Sequence, residues 1–270
     1  MVRQGWFYGC FVGTAIALIA FPSHPAKAEN SEVSARRIAE RTNFTNDEII
    51  DGFVKLAFRP ELQFDRQIER LRKFDEPVRV FVDDHGQADR AAVIRAVVAD
   101  IGAHVAHLDI ATVEDRRVAN VVVMLVPERA FQRTIRARYG RARAKEIAHS
   151  LNPQCLSGIA KDPQYRIRRA EVLLPGDVDE FRFYDCAYEE LLQALGPIND
   201  DASVPWTMFN DNVQMGFFDL YDQYLLNILY DPRVRPGMTK EDFGRVASDV
   251  LSTVRTWVAS ANPPQATRTH

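Results

Sequence analysis

The chain has 270 residues, 34 basic against 37 acidic, and 46% of them are hydrophobic. A net charge of −3 excludes a partner drawn in by bulk positive charge, nucleic acid first among them. The apolar content is enough to bury a sizeable core in one large domain or two small ones.

Residues 1–28 read as a signal peptide. Arg3 makes a short positive start, Trp6 to Phe21 is mostly apolar, Pro22 and Pro25 end the run, and Ala26-Lys27-Ala28 is an A-x-A cleavage site. The apolar run is shorter than the roughly 20 residues a spanning helix needs, so an uncleaved anchor is the poorer reading. Cys10 lies inside that run, which argues against a lipid-modified cysteine. Cleavage near Ala28 predicts a periplasmic or secreted protein with no integral membrane span. It removes Arg3 and Lys27 and no acid, leaving 32 basic against 37 acidic residues, net −5. It also removes one of the three cysteines. The remaining pair, Cys155 and Cys186, is expected to form a disulfide in an oxidising compartment.

Residues 29–43 form an N-terminal leader, with a short helix or a frayed segment at 31–40. Thr45 to Glu48 is a capping box opening a helix to about Phe58, whose apolar face is Ile49, Ile50, Phe53, Val54 and Ala57. The charged stretch 62–74 carries no clear period. Val78 to Val82 alternates as a strand. A long helix over 87–105 follows, with Ile94, Val97, Val98, Ile101 and Val105 in register. Leu108 to Ile110 and Val118 to Val126 are strands, the second continuous enough to be buried on both faces. This β-α-β order implies a mixed sheet with a crossover helix. Arg129 to Lys145 carries seven basic residues and reads as a solvated amphipathic helix, its apolar side Ala130, Phe131, Ile135, Ala142 and Ile147. His104, His107 and the remote His149 are too loosely spaced for a metal site. Val172 to Leu174 and Phe181 to Phe183 suggest a hairpin about Pro175-Gly176-Asp177.

The next stretch organises the chain. Ala187, Leu191, Leu192, Ala194 and Leu195 form a helical stripe over 185–195, and Gly196-Pro197 stops it. Glu189 and Gln193 share a face, Glu190 lies a quarter-turn round, and the turn at Gly196 can swing Asn199 back toward them. A helix over 218–230 follows. A last one over 240–259 opens at Thr239 and buries Phe243, Val246, Val250, Val254 and Trp257. The expected organisation is one domain over 44–260 with a disordered tail at 261–270.

The pattern E-E-x-x-Q-x-x-G-x-x-N, from Glu189 to Asn199, resembles the metzincin zinc-peptidase helix H-E-x-x-H-x-x-G-x-x-H. Met208 falls where a metzincin has its Met-turn. The resemblance implies an α+β fold: a metzincin-like mixed β-sheet, a long crossover helix, a central active-site helix and C-terminal helices. It also puts Glu189, Gln193 and Asn199 at the zinc-ligand positions and Glu190 at the general base. More broadly, N-F-T-N-D-E-I-I-D-G-F, C-A-Y-E-E-L-L-Q-A-L-G-P-I-N-D and L-Y-D-P-R-V-R-P-G-M resemble a family of exported proteobacterial proteins. Its members share a domain of unknown function and are often described as lipoproteins.

One carboxylate and two amides make a poor zinc site, because amide oxygens are hard, weak ligands. Losing a metal-bound water of pKa ~7 forfeits ~9 pK units, or ~12 kcal/mol in proton affinity, whereas a lone general base restores only ~3–5 kcal/mol. The expectation is therefore an exported pseudo-peptidase with no catalytic residue, no metal and no cofactor, which binds or scaffolds an unknown peptide, polymer or envelope protein. The alternative is a hydrolase of an envelope polymer or peptide that uses Glu189 and Glu190, with or without a non-zinc metal. A third reading is a calcium site drawn from Glu189, Gln193, Asn199, Asp200 and Asp201. In the metal-free reading, the amides of Gln193 and Asn199 are expected to take over the metal's structural role, bonding Glu189 or Glu190 and pinning the turn at Gly196.

Overall fold

The computed structural model describes residues 29–58, 70–150, 153–197 and 199–263. The signal-peptide reading lies outside these, as does the tail from residue 264. The backbone is organised by a five-stranded sheet of β1 (Val78–Asp83), β2 (Ile110–Thr112), β3 (Val121–Val126), β4 (Leu156–Lys161) and β5 (Ile167–Pro175). Its order is β2-β1-β3-β5-β4. The first three neighbour pairs are parallel, and β4 runs antiparallel to β5 at one edge.

The helix α3 (Ala88–His104) connects β1 to β2, which lie parallel and adjacent, as a crossover requires. Its apolar residues Ile94, Val97, Val98, Ile101 and Val105 are all buried, as their spacing predicts. Val121, Val123 and Leu125 of β3 face the main core. Met124 and Val126 face a second, smaller cluster under α4 (Glu128–Ser150). That two-sided burial explains the unbroken apolar run of β3.

Thr45 and Glu48 make the expected capping box: the Glu48 N–H donates to Thr45 Oγ1 (3.2 Å) and the Thr45 N–H to Glu48 Oε2 (2.7 Å). They open α2 (Asn46–Phe58). The leader holds α1 (Ser31–Ala39), fastened by buried Val33 and by the guanidinium of Arg37 over the Phe217 ring at 4.2 Å. After the cleft-forming helix come α6 (Leu220–Tyr230), α7 (Lys240–Gly244) and α8 (Ala247–Ala261). Among the described residues no helix is long and apolar enough to cross a membrane.

Four expectations need correction. The hairpin at 172–174 and 181–183 does not form. Phe181 and Phe183 belong to α5 (Glu180–Ala194), which starts five residues earlier than its apolar stripe suggests. Asp179 caps it by accepting from the Arg182 N–H (3.0 Å), and this local bond overrides the strand-like Phe-Arg-Phe alternation. The true antiparallel partner of β5 is β4, whose L-S-G-I-A-K is too polar to announce a strand.

Ala142 is exposed and Ala144 is buried in its place, because Gly140 (φ 79, ψ 165) kinks α4 and shifts the phase of everything after it. The last helix is two helices. Thr239 does open the first, with a reciprocal capping box to Asp242. The break after Gly244 rotates the second, so Trp257 is 38% exposed and Val258 takes the core position. Finally, Val118 sits in a short 3-10 turn and is exposed, so the strand begins at Val121.

Candidate functional site

The helix α5 is held by its apolar face. Phe183, Ala187 and Leu192 are fully buried, and the two large ones contribute ~1.5–3 kcal/mol each by leaving water. Gly196 then ends the helix in a conformation closed to other residues. Its φ is +142°, and a Cβ there would lie 2.4 Å from the Arg72 carbonyl oxygen. The disulfide Cys155–Cys186 joins the residue before β4 to the second turn of α5. In the loop-entropy model it constrains the unfolded chain by ~3–4 kcal/mol.

Between that bond, β4 and the C-terminal half of α5 lies a cleft of ≈ 300 Å³. Five carboxylates line it: Asp185, Glu189 and Glu190 from α5, and Asp200 and Asp211 from the segment that follows. Ser157 of β4 lies opposite, and its hydroxyl donates to Gln193 Oε1 (3.2 Å). Gln193 Nε2 donates in turn to Asp200 Oδ1 (3.0 Å), so this amide bridges strand and loop across the cleft.

The electrostatics are unfavourable for charge. Burial, then the charges of Glu190, Asp200, Asp185 and Asp211, push the Glu189 carboxyl well above its ordinary range. Burial raises Glu190 to about 8, against hydrogen bonds from Ser157 and with help from the Asp200 charge. Burial lifts Asp185 to about 6, although the Met215 and Gly216 N–H groups donate to its Oδ1 at 2.8 and 3.2 Å. Glu189 and Glu190 also lie in the C-terminal part of α5, where the helix dipole is negative and no basic residue stands in the last turn. Glu190 is 5% exposed, and its buried Oε2 has no hydrogen-bond partner.

The motif positions are thus only partly gathered. Glu189, Glu190 and Gln193 share the cleft. Asn199 does not join them: its Nδ2 donates to the Lys55 carbonyl (3.2 Å) at the end of α2. Met208 is a core residue, 2% exposed, with its N–H on Asp222 Oδ2 (3.0 Å). The amides therefore do not brace Glu189 or Glu190, because Ser157, Asp200 and the α2 carbonyl are nearer partners. Of the proposed calcium ligands, Asp200 lines the cleft, whereas Asp201 Oδ1 is taken by the Ser203 N–H (2.9 Å).

Among the described residues, the group of His, Cys, Asp and Glu donors close enough to hold an ion is Glu189, Asp200 and Asp211. His104 is instead committed to Asp100, at 3.0 Å.

A family model described as "Protein of unknown function (DUF2927)" matches residues 46–248, well over half of the chain. The chain belongs to the DUF2927 family. The matched stretch runs from the first turn of α2 into α8 and so contains the whole sheet and the whole cleft. No curated protein and no solved structure matches the chain.

Within this DUF2927 domain, two cleft acids were missed in the sequence. Asp185 had a usable signal, since it stands four residues before Glu189 on the same helical face. Asp211 had none. It is brought in by an irregular loop that Asp185 pins through the Met215 and Gly216 N–H groups.

Proposed function

We propose that this chain is an exported pseudo-peptidase. On this reading a metallopeptidase-like scaffold, lacking the metzincin zinc ligands, holds a peptide, an envelope polymer or an envelope protein without cleaving it. The observation that carries the reading is the state of two of the three ligand positions. Gln193 is bonded to Ser157 and Asp200, and Asn199 is turned away to Lys55, while the cleft and the buried Glu190 persist beside β4.

The metzincin-like frame is supported by the crossover helix α3, the antiparallel edge strand β4 along the cleft, and the helix α5 stopped at Gly196. Export is supported by the disulfide, which persists in oxidising compartments. An extended ligand fits the site, because β4 pairs on one side only among the described strands and its residues Leu156 and Ser157 line the cleft. Strand addition at such an edge provides backbone affinity. The carboxylates select against anionic polymers.

The test offers the mature protein a library of unstructured ten-residue peptides. Binding is followed by fluorescence polarisation and integrity by mass spectrometry. The expected result is saturable binding of a subset, slowed amide exchange across Leu156–Lys161 and no cleavage. One observation favours the hydrolase instead: Glu189 and Glu190, both raised, share one cleft. Cleavage that disappears in Glu190→Gln would establish it.

A further inference from the structure

The carboxylate oxygens of Glu189, Asp200 and Asp211 lie within 4.8 Å of one another. Among the described residues no ion pair neutralises Glu189 or Asp211. Arg182, the cation on the cleft wall, is engaged with Glu128 at 2.7 Å. Three like charges gathered this closely in a half-buried cleft repel one another unless something positive stands between them.

We propose that Glu189, Asp200 and Asp211 form a binding site for a hard divalent cation of the calcium class. The spacing suits it. Calcium holds oxygen ligands at ~2.3–2.6 Å, so two ligands of one ion stand no more than ~5 Å apart. The donor set suits it as well. Three carboxylates and no imidazole or thiolate select calcium, magnesium or manganese over zinc. Asp200 and Asp211 come from irregular backbone rather than from a rigid helix, and calcium accepts such geometry where magnesium demands a near-ideal octahedron.

A second observation at the same place points the same way. The carboxyl of Glu190 lines the cleft, is 5% exposed and, beside the hydrogen bonds it takes from Ser157, keeps Oε2 buried without a partner. A buried oxygen of this kind needs a water or an ion. A cation carrying bound water beside Glu189 supplies one. Asp185 then has a clear part. By holding the Met215 and Gly216 N–H groups it fixes the loop that carries Asp211, which makes it a positioning residue rather than a ligand.

The inference stands apart from the binding role proposed above, since it is measured with no peptide present. Full-length mature protein is stripped with EDTA, exchanged into chelator-free buffer and titrated with calcium chloride by calorimetry. Magnesium and zinc chloride are run in parallel, and the melting temperature is read with and without calcium. One calcium per chain is expected, bound more tightly than magnesium or zinc. The melting temperature should rise with calcium concentration, as mass action requires. Glu189→Gln and Asp211→Asn should each weaken binding at least tenfold. Asp211 is exposed, so its variant should fold, and circular dichroism checks this. No saturable calcium binding by folded wild-type protein overturns the proposal. So does affinity that Asp211→Asn leaves within twofold, and so does preferred zinc binding that survives that change.

Discussion

Asp222 and Glu190 are both buried acids on core helices, and their surroundings differ in kind. Asp222 sits in the first turn of α6, where Thr207 Oγ1 and the Met208 N–H donate to its two oxygens. Its neighbour Asp219 accepts from the Tyr221 and Asp222 N–H groups at 2.9 and 3.1 Å, and Glu40 accepts from the Leu220 N–H. These are the orphan donors and positive end of a helix N-terminus, where carboxylates belong. Burial, then the charge of Asp222, pushes Asp219 well above its ordinary range, and its buried Oδ2 has no hydrogen-bond partner, but its other oxygen holds two backbone donors. Glu190 has only the Ser157 hydrogen bonds and no helix N-terminus behind it. It lies toward the C-terminal end of its helix, among other acids, with one oxygen unpaired and a cleft in front of it. One acid cluster completes a fold. The other burdens it, and the cation proposed above would relieve that burden.

The largest expected effect separates the two directly. Asp222→Ala strands the Thr207 hydroxyl and the Met208 N–H in the core, and at ~1–3 kcal/mol for each buried unpaired group the loss is ~2–6 kcal/mol. Glu190→Gln removes a repelled acid of nearly the same shape and should change stability by less than ~1 kcal/mol, or raise it. Urea denaturation of both variants reads the contrast. Equal losses would mean that Glu190 is as structural as Asp222.

A pH series sharpens the same contrast with a smaller effect. The Glu190 carboxyl is raised to about 8 in the fold from an ordinary 4.5. Between those values the folded chain keeps a proton that the unfolded chain has lost. Its contribution is therefore fully present below pH 4.5 and drains away as pH rises through 8. In EDTA the melting temperature should fall from pH 5 to pH 8.5, and Glu190→Gln should make that fall shallower. Asp185, Asp219 and Asp222 act with the same sign and remain in the variant, while Glu189 loses the Glu190 charge that helps to raise it, so the difference between the two slopes belongs to the Glu189–Glu190 pair. Parallel slopes would remove the Glu189–Glu190 pair from the set of strained acids.

The contrast also explains what the sequence disclosed and what it hid. Periodic elements were legible because their side chains report a repeated environment: α3 through Ile94, Val97 and Ile101, and β3 through its valines. The Cys155–Cys186 bond was legible by counting. The edge strand β4 was not, since an edge beside a polar cleft needs no apolar alternation. Of the site, the helical acids Glu189 and Glu190 came from motif spacing. Asp211 lies on the loop, where no period connects it to α5, and only the Asp185 anchor draws it in. Asn199 failed the other way: its motif position implied the cleft, but the chain beyond Gly196 turns its amide to α2.

The smallest effects compare the two amides. Gln193 bridges Ser157 to Asp200 inside the cleft, whereas Asn199 supplies one of the carbonyls at the C-terminal end of α2 with a donor. Replacing Gln193 with Leu removes a bond to a charged acceptor, worth ~1.5–3 kcal/mol, and releases Asp200 from its position. It should therefore lower the melting temperature and weaken calcium binding together. Replacing Asn199 with Leu removes a neutral bond worth ~0.5–1.5 kcal/mol at a half-buried position, a loss that water at the carbonyl offsets in part. It should lower the melting temperature slightly and leave calcium affinity unchanged. The pairing of the two readouts decides the case, because a merely structural amide moves only the first. If Asn199→Leu weakens calcium binding as much as Gln193→Leu does, then Asn199 reaches the cleft in solution. The three motif positions would then act together after all, and the division between bracing amide and cleft amide would fall.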